Sequence, residues 1–523
     1  MRNVYVKFHH DPPSSNKDTP VWTKVLESLE LSGLNLHVKV TFTTEIPYKR
    51  LKYKMMEVEV GRHTVLLART DGKYSAIGNQ CTHYGAPLSK GVITGHRVRC
   101  PWHGSCFNVQ TGDLEEFPGI DCLPCHKVRT CDKTYSLRQQ KRIKSMGKAE
   151  PGVTHTVLLL GGGAASLICA EILRQENFVG RIIMVTRDDL LPYDKTRLSK
   201  VLQSKQRDQK TSRFSDEYSL SSRAKGLDVP GIKLDNVKML ETPEDARQIH
   251  AACQGSNIVL VGTSFVGMEV ASYMIGKASS ITVIGSSELP YQNTLGREIG
   301  RVTMTMLSEK DVKFYMNDSV IEVKGVNGKV KEVVLKSGTV IPADVLIVGV
   351  GSIPNSEFLQ GTKIQMNAKN FVIVDKCMRT NVPDVFSGGD VVTFPLAMAN
   401  NRLVTIGHWQ MAQAHGRIVA LNILNKPSEL NSVPYYWTVL LGKTIRYTGY
   451  GEGYTDIVIK GRFEERKFLA LYIKNDEVIA AAGLNYDPVV SAVAERLAAG
   501  KVITKKEAQY VEWFCLFLLC FHL

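Results

Sequence analysis

The 523-residue sequence predicts a multidomain fold, with an all-β domain, an α/β region of two dinucleotide-binding domains, and a small α+β domain in that order. Three observations predict it. Short strand-like segments surround two Cys/His pairs in the N-terminal quarter. Two strand–glycine turn–helix segments follow, at Gly161 and at Gly262. With 44% hydrophobic residues and 42 glycines, the chain can fill the cores of about three or four domains.

The two Cys/His pairs are Cys81-x-His83 and Cys100-x-x-His103. Neighbouring Gly and Pro residues allow tight loops, which can bring four ligands to one point. Two thiolates on one iron and two imidazoles on the other form a Rieske [2Fe–2S] centre. Zinc also binds two Cys and two His, but zinc motifs usually place both Cys in one arm and both His in the other. The spacing therefore favours a [2Fe–2S] cluster, with a zinc site or four unrelated loop residues as alternatives.

The residues around these pairs resemble the Rieske family. Segments 80–88 and 99–112 are similar to its two cluster-binding loops. Ala86 and Trp102 occupy positions where the respiratory-complex branch has two further cysteines, so the resemblance is to the ferredoxin-type branch. The resemblance implies an all-β domain at residues 50–140. Its predicted strands include Met56–Val60, Thr64–Ala68 and Ser75–Ile77.

The net charge of +14 comes from scattered Lys and Arg residues. They form no ordered stripe with aromatic residues, so nucleic acid is not an expected partner. An anionic nucleotide, a membrane surface or an acidic redox partner can use the same charge. The 11 cysteines without a secretory signal fit a reducing compartment. Met1–Lys17 is not an Arg/Ser-rich amphipathic presequence, which leaves mitochondrial and cytoplasmic locations open.

The C-terminal segment at residues 506–523 contains a strongly apolar run, Trp513–Leu523. The run is shorter than the ~20 residues that a spanning helix needs. It is an interfacial anchor, a buried segment or an abnormal end to the chain. Membrane association and dimer formation therefore stay open.

The first glycine turn follows the apolar strand Thr156–Leu160 and precedes a helix. Gly161 allows the tight turn, and Gly163 allows a pyrophosphate to approach the amides at the helix N-terminus. Ser166 is small enough for close packing of helix and strand. The expected ribose-binding acid after the next strand, Arg181–Thr186, is replaced by a threonine, with Asp188 and Asp189 just beyond it.

The second turn follows strand Asn257–Val261 and runs from Gly262 to Gly267. Ser264 replaces its middle glycine, which should crowd a bound nucleotide. The next strand, Ser280–Ile284, is followed by Gly-Ser-Ser-Glu288, so Glu288 is the nearest acid for the ribose. No arginine in this segment favours a 2′-phosphate. The sequence predicts binding of a nicotinamide nucleotide here.

The segment Thr380–Asp390 resembles the signature T-x₆-h-x-G-D of FAD-dependent pyridine-nucleotide reductases. The resemblance implies that Asp390 binds the flavin's ribityl and phosphate region, and that the first glycine turn binds FAD. Residues 191–200 are similar to the flavin-side segment of ferredoxin reductases and apoptosis-inducing factor proteins, in which Lys200 is the catalytic, flavin-side lysine. Residues 407–416, with His408, resemble the helix that closes the flavin site of that group.

An N-terminal Rieske domain fused to such a reductase is similar to the Rieske-containing apoptosis-inducing factor-like proteins. The resemblance implies that electrons pass from NAD(P)H through FAD to the [2Fe–2S] cluster and on to a one-electron acceptor. An alternative is a Rieske electron carrier, or a redox-sensing or pro-apoptotic interaction protein, with a weakened or lost flavin site. The predicted domains are Rieske 50–140, FAD-binding 151–250, NAD(P)-binding 251–340, FAD-binding 341–410, a reductase C-terminal domain 411–505 and the apolar tail.

The FAD region departs from the family between Lys200 and Gly262. The family has strands of the FAD sheet here, including one that ends in an A-x-G-type contact with the cofactor. Val201–Val229 is polar and rich in Ser and Lys, and no such strand is predicted before the helix start at Thr242. We therefore expect an incomplete FAD sheet with unpaired backbone groups.

Overall fold

The computed structural model describes most of the chain, in several ranges. These are residues 43–47, 54–60, 63–131, 134–140, 146–187, 190, 192–202 and 222–510. Some predictions above concern residues outside these ranges, namely Met1–Lys17, Asp188, Asp189 and Trp513–Leu523. The chain forms two compact units. The first comprises Met1–Cys100, Ser105–Glu115 and Gly119–Ile143, and the second comprises Pro101–Gly104, Glu116–Pro118 and Lys144–Leu523.

The first unit is built from two antiparallel sheets. Its strands are β1 (Thr43–Pro47), β2 (Met55–Val60), β3 (His63–Thr70), β4 (Lys73–Gly78), β5 (Val92–Thr94), β6 (Arg97–Arg99), β7 (Cys106–Asn108), β8 (Leu114–Glu116), β9 (Cys125–Cys131) and β10 (Thr134–Gln140). The larger sheet has the order β1-β10-β9-β4-β3-β2, and the smaller has the order β5-β6-β7-β8. Val58, Val60, Val65, Leu67 and Ala76 form a core on the larger sheet. The alternation of β2, with Val58 and Val60 inward and Glu57 and Glu59 outward, produces this one-sided core.

The second unit contains all the described α-helices. In chain order its elements are β11 (Thr156–Leu160), α1 (Ala164–Gln175), β12 (Arg181–Val185), β13 (Ser222–Ala224), β14 (Val237–Lys238), α2 (Pro243–Cys253), β15 (Asn257–Val261), α3 (Phe265–Met274), β16 (Ser280–Gly285), α4 (Gly296–Ser308), β17 (Lys313–Met316), β18 (Val320–Val326), β19 (Lys329–Leu335), β20 (Val340–Pro342), β21 (Val345–Val348), β22 (Ser352–Pro354), β23 (Val372–Ile373), β24 (Val392–Leu396), β25 (Arg402–Val404), α5 (Trp409–Ile423), β26 (Tyr435–Leu440), β27 (Lys443–Gly449), β28 (Asp456–Arg462), β29 (Lys467–Lys474), β30 (Glu477–Leu484), α6 (Val489–Ala498) and α7 (Lys505–Tyr510).

The middle of this unit is a doubly wound domain on a five-stranded sheet, β14-β21-β15-β16-β17. Its pairs are parallel. Continuous apolar strands such as Ile258–Val261 belong in the centre of a sheet that is covered on both faces. Helix α2 begins at Pro243, directly after Thr242, at the helix start that the sequence predicts. Thr242 and Asp245 cap each other's backbone N–H groups, and Pro243 occupies the first turn.

The C-terminal domain is a five-stranded antiparallel sheet, β26-β27-β30-β29-β28. One face shares a continuous core with the doubly wound domain, in which Tyr447 and Phe468 pack with Ile258, Ala271 and Met274. The other face packs on α6 and α7. Within the described residues, no helix combines the length and the apolarity needed to cross a bilayer. The α+β C-terminal domain and the α/β region agree with the predicted fold class.

The FAD region is built from small sheet fragments. Strands β11 and β12 form a two-stranded parallel sheet, β23-β24-β25 form another small sheet, and β13 pairs with β22. Leu158 is 56% exposed on β11, although it is part of a continuous apolar strand. Residues 203–221 lie outside the described residues, so the incomplete sheet expected from the sequence stays a prediction. One prediction was wrong, because Ser222–Ala224 forms a strand in the polar stretch where none was expected, and β22 supplies its hydrogen-bond partners.

Candidate functional site

A cavity of about 1240 Å³ in the second unit gathers most of the residues predicted to bind FAD. Five of them contribute to its wall, namely Gly163, Ser166, Lys200, Asp390 and His408. They come from α1, the segment after β12, the end of the Gly-Gly-Asp turn and the start of α5. Residues that the sequence separates by up to 245 positions (163 to 408) therefore face one space. Which of them bind FAD stays a prediction.

The first glycine turn has the shape that a dinucleotide pyrophosphate needs. Gly161 has φ +102°, a conformation that side chains other than glycine rarely adopt. Gly163 precedes α1 at its N-terminus, and a Cβ atom there would meet no atom within 4 Å, so the turn is open to a ligand. A Cβ atom on Gly162 would lie 2.7 Å from Thr186 Oγ1. Open backbone amides at a helix N-terminus fit a phosphate group.

Asp390 faces the cavity from the end of the Gly-Gly-Asp turn. Burial raises the pKa of its carboxyl group, while a hydrogen bond from Ser222 and the charge of Lys195 act in the opposite direction. Ser222 Oγ donates to Asp390 Oδ2 over 3.3 Å. The unexpected strand β13 therefore delivers a hydroxyl group to the predicted flavin-binding acid.

Lys200 contacts an acid that the sequence analysis missed. Its Nζ atom lies 3.0 Å from Glu269 Oε2 and donates to the carbonyl oxygen of Thr196 over 2.9 Å. The side chain of Glu269 is 1% exposed and that of Lys200 is 16% exposed. Glu269 also accepts hydrogen bonds from Ser199 and from Thr438. The sequence carries one signal for this role, since Glu269 is the only charged residue in the apolar helix α3.

His408 precedes α5 and borders the same cavity. Its Nδ1 atom accepts from the backbone N–H of Gln410, which caps the helix. Burial, with a smaller contribution from the positive charge of Lys200, lowers its pKa to about 3. The imidazole is therefore neutral at physiological pH, and its ring lies 5.5 Å from the rings of both Tyr436 and Trp437.

The second glycine turn is tightly packed. Gly262 has φ +113°, and a Cβ atom there would lie 2.1 Å from the carbonyl oxygen of Gly349. A Cβ atom on Gly267 would lie 1.9 Å from the carbonyl oxygen of Gly262. Ser264 precedes α3 and borders the large cavity. Glu288, the predicted ribose acid, forms an ion pair with Arg297.

Three of the four predicted cluster ligands lie in the first unit. Cys81 and His83 lie on the segment that connects β4 of the larger sheet with β5 of the smaller one, and Cys100 lies between β6 and β7 of the smaller sheet. Cys81 and Cys100 are buried, and their thiols are hydrogen-bonded to each other. The hydrogen bond with Cys100 is the largest cause that lowers the pKa of Cys81 to about 6, and His83 also lowers it. Thiolates are the form that iron binds, so this donor pair fits a cluster. Among the described residues, however, no three His, Cys, Asp or Glu side chains are already arranged around a metal position.

The fourth predicted ligand, His103, belongs to segment Pro101–Gly104 of the second unit. It is 9% exposed, and its ring lies 4.1 Å from that of Trp437. Arg446 Nε donates to the carbonyl oxygen of the preceding residue, Trp102, over 2.8 Å. Arg446 is itself held by Asp487 at 2.9 Å. Trp437 therefore contacts both His103 and His408, and it borders the large cavity.

Three family models match the chain. The Rieske [2Fe–2S] domain matches residues 37–127, the pyridine nucleotide-disulphide oxidoreductase model matches residues 218–416, and the reductase C-terminal model matches residues 435–510. The oxidoreductase match begins at residue 218, so the first glycine turn lies outside it. The order of the three matches confirms the predicted fold class, and their descriptions confirm the predicted [2Fe–2S], FAD and NAD(P)H cofactors.

Three similar proteins match between 65% and 87% of the chain. Human apoptosis-inducing factor 3 is 45% identical over 87% of this chain and 84% of its own length, and the mouse protein is 44% identical over the same shares. A rubredoxin-NAD(+) reductase of Ectopseudomonas oleovorans is 25% identical over 65% of this chain and 98% of its own.

Solved structures share the fold of the second unit's reductase region. A ferredoxin reductase from Rhodopseudomonas palustris covers 68% of this chain and 97% of its own, with a TM-score of 0.62 and 24% identity. The covalent putidaredoxin reductase–putidaredoxin complex covers 71% and 99%, with a TM-score of 0.65 and 20% identity. At these identities the likeness shows the fold alone.

Proposed function

The chain belongs to the family of apoptosis-inducing factor 3, and from this premise we propose that it passes electrons from a reduced nicotinamide nucleotide to its Rieske centre and then to a one-electron acceptor. Its class is established by the matches above, since it is an FAD-dependent NAD(P)H oxidoreductase with a Rieske domain. What we propose is the direction of electron flow and the residues that support it.

One observation carries the proposal, namely the buried Lys200–Glu269 pair on the wall of the cavity. Burying an ion pair costs desolvation energy. We infer that the fold keeps this pair because the charge of Lys200 is needed at a fixed position. Lys200 is the residue that resembles the flavin-side lysine of ferredoxin reductases. Glu269, with Ser199 and Thr438, holds the ammonium group at the cavity edge.

The remaining candidate residues are assigned to different parts of FAD. We assign the pyrophosphate of FAD to the open amides around Gly163, and its ribityl region to Asp390 supported by Ser222. Bound FAD supplies the conversion between two-electron and one-electron chemistry, and the cluster supplies one-electron storage. His408 stays neutral, so it adds no second positive charge beside Lys200. No side chain is needed as a nucleophile.

We assign to Trp437 the step in which an electron leaves the cavity. Its ring lies 4.1 Å from His103, a predicted iron ligand, and 5.5 Å from His408. All three side chains belong to the second unit. An electron that moves from the cavity to the predicted iron ligand His103 would therefore cross only short gaps between these rings. Cys81, His83 and Cys100 are assigned as the other three ligands. The final acceptor is proposed only as a one-electron carrier.

A second candidate function is favoured by the fragmented FAD region. The two-stranded sheet β11–β12 and the exposure of Leu158 and Leu160 are unusual for a flavin domain. A chain with no bound flavin would be a Rieske electron carrier, or a redox-dependent interaction protein in the apoptotic role that the relatives' name carries. The two candidates differ in one measurable property, the flavin content.

The test is the visible spectrum of anaerobically purified protein, with iron and acid-released flavin quantified. We expect two irons and about one FAD per chain, with both absorption bands bleached by the nicotinamide nucleotide. Iron without flavin would reject the proposal and favour the carrier. Flavin that is bleached while the cluster stays oxidised would reject the path through Trp437 and His103.

A further inference from the structure

The adenosine end of the nicotinamide site is built differently from the pattern that selects NADH. In a dinucleotide-binding domain, an acid at the end of the second strand binds the ribose hydroxyls. That strand is β16, and it ends in Gly285. A Cβ atom there would lie 2.6 Å from Thr263 Cγ2 and 2.9 Å from Met316 Cε. A carboxylate at the usual position would therefore require the side chains of Thr263 and Met316 to move.

The nearest acid, Glu288, already forms an ion pair. Its Oε1 atom lies 2.6 Å from Arg297 Nη2, and both side chains are about half exposed, at 48% and 47%. The hydrogen bond from Arg297 lowers the pKa of Glu288, and Arg301, one helical turn further along α4, also contributes. The site thus offers an acid paired with a guanidinium in place of one free carboxylate.

The loop that carries Glu288 is fastened beside the glycine turn. The backbone N–H of Tyr291 donates to the carbonyl oxygen of Thr263 over 2.9 Å. At the other end, the N–H of Asn317 donates to Ser287 O over 3.0 Å. The loop is therefore anchored to the turn that would hold the pyrophosphate and to strand β17. Arg297 follows this loop as the second residue of α4, and its ion pair with Glu288 places its guanidinium beside the loop that follows β16, where the pattern puts the ribose.

We propose that Arg297 recognises the 2′-phosphate of NADPH, and that its guanidinium forms an ion pair with Glu288 when no phosphate is bound. A guanidinium can bind a phosphate through two parallel hydrogen bonds, as it binds a carboxylate. The half-exposed Glu288 can turn into solvent when a 2′-phosphate arrives. The chain therefore uses NADPH at least as well as NADH. This inference rests on the proposed function, in which a nicotinamide nucleotide is the electron donor.

The test is a calorimetric titration of the purified holoprotein with 2′,5′-ADP and with 5′-AMP, which need no electron transfer. We expect 2′,5′-ADP to bind the wild type about tenfold more tightly, because one charge-assisted contact at a half-exposed site is worth roughly a factor of ten. Arg297→Gln removes this preference and leaves 5′-AMP binding unchanged. Glu288→Gln increases the preference, because it removes the competing carboxylate.

A matched control is the exposed pair Arg462–Glu465, at 3.2 Å on the β28–β29 hairpin. Arg462→Gln should leave the binding of both nucleotides unchanged. Equal affinities of the wild type for the two nucleotides, or a preference that survives Arg297→Gln, would overturn the inference while the proposed function stands. If the wild type binds neither nucleotide, the nicotinamide site itself fails, and the proposed function is rejected with it.

Discussion

The Lys200–Glu269 pair gives the sharpest quantitative test of the site. We consider Lys200→Met, which removes the charge and keeps an aliphatic stem, and Glu269→Gln, which keeps the shape of the side chain. The 3.0 Å separation corresponds to a Coulomb attraction of about 5.5 kcal/mol at an effective dielectric constant of about 20. Desolvation of the nearly inaccessible Glu269 carboxylate offsets part of this attraction. We expect a net coupling energy of about 2–3 kcal/mol between the two side chains.

The assay is a double-mutant cycle on the free energy of unfolding, from urea denaturation of the wild type, both single variants and the double variant. Either single variant should be destabilised, because each leaves one partner buried without its counter-charge. The double variant should recover the coupling energy.

An exposed ion pair provides the control cycle. Lys426 and Glu176 are also close, at 2.5 Å, but their side chains are 51% and 28% exposed. Their coupling should stay below about 1 kcal/mol, because water screens the pair. Equal coupling energies in the two cycles would refute the argument that burial fixes Lys200 at the cavity, since the pair would then behave as a solvated one.

Three further predictions follow from particular residues. His415 is fully buried, and burial lowers its pKa to about 3, so the unfolded chain binds one more proton than the folded chain between pH 3 and 6.5 and stability falls as the pH falls through this window. His415→Gln should therefore reduce the stability lost between pH 7.5 and pH 5 by about 2 kcal/mol, measured by urea denaturation at both pH values, and an unchanged loss would contradict this. Cys81→Ser should abolish the iron content and the electron paramagnetic resonance signal of the reduced protein while flavin is retained; Cys122→Ser is the control, and iron that survives Cys81→Ser would exclude Cys81 as a ligand. Gly416→Ala should destabilise the protein by about 1–3 kcal/mol and lower its flavin content, because the new Cβ would lie 2.2 Å from Ala165 O. Gly226→Ala, where a Cβ meets no atom within 4 Å, should change neither, and equal behaviour of the two variants would contradict the packing argument.

Local sequence patterns predicted the strands whose bounds are set by neighbouring residues in the sequence. Strands Thr156–Leu160 and Asn257–Val261 have the predicted bounds, because each is a continuous apolar run that ends at a glycine turn. Helix α3 begins three residues before the predicted Met268, since Ser264 already occupies the position that precedes the helix. Boundaries of this kind depend on cap geometry, which sequence patterns describe less sharply.

Contacts between distant residues could not be predicted. Glu269 is 69 residues from Lys200, and nothing in either segment indicates that they meet. Arg297 lies nine residues after Glu288, beyond the segment in which the sequence analysis found no arginine for a 2′-phosphate. Their pairing depends on how a loop turns back onto a helix, which is a property of the tertiary fold. The contact of Trp437 with His103 has the same origin.

The fragmented FAD sheet does not by itself remove the support of the flavin turn. In an intact doubly wound domain, the first strand is held mainly by its neighbours in the sheet, whereas here β11 pairs only with β12 among the described residues. Helix α5 supplies a second support, because Gly416 lets it approach the first turn of α1 closely and His415 Nδ1 accepts from the N–H of Gly389 over 3.1 Å. One helix thus holds the glycine turn and the turn that ends in Asp390. Helix α5 therefore supports both halves of the proposed flavin site, independently of the strand pairing of β11, and both halves face one cavity.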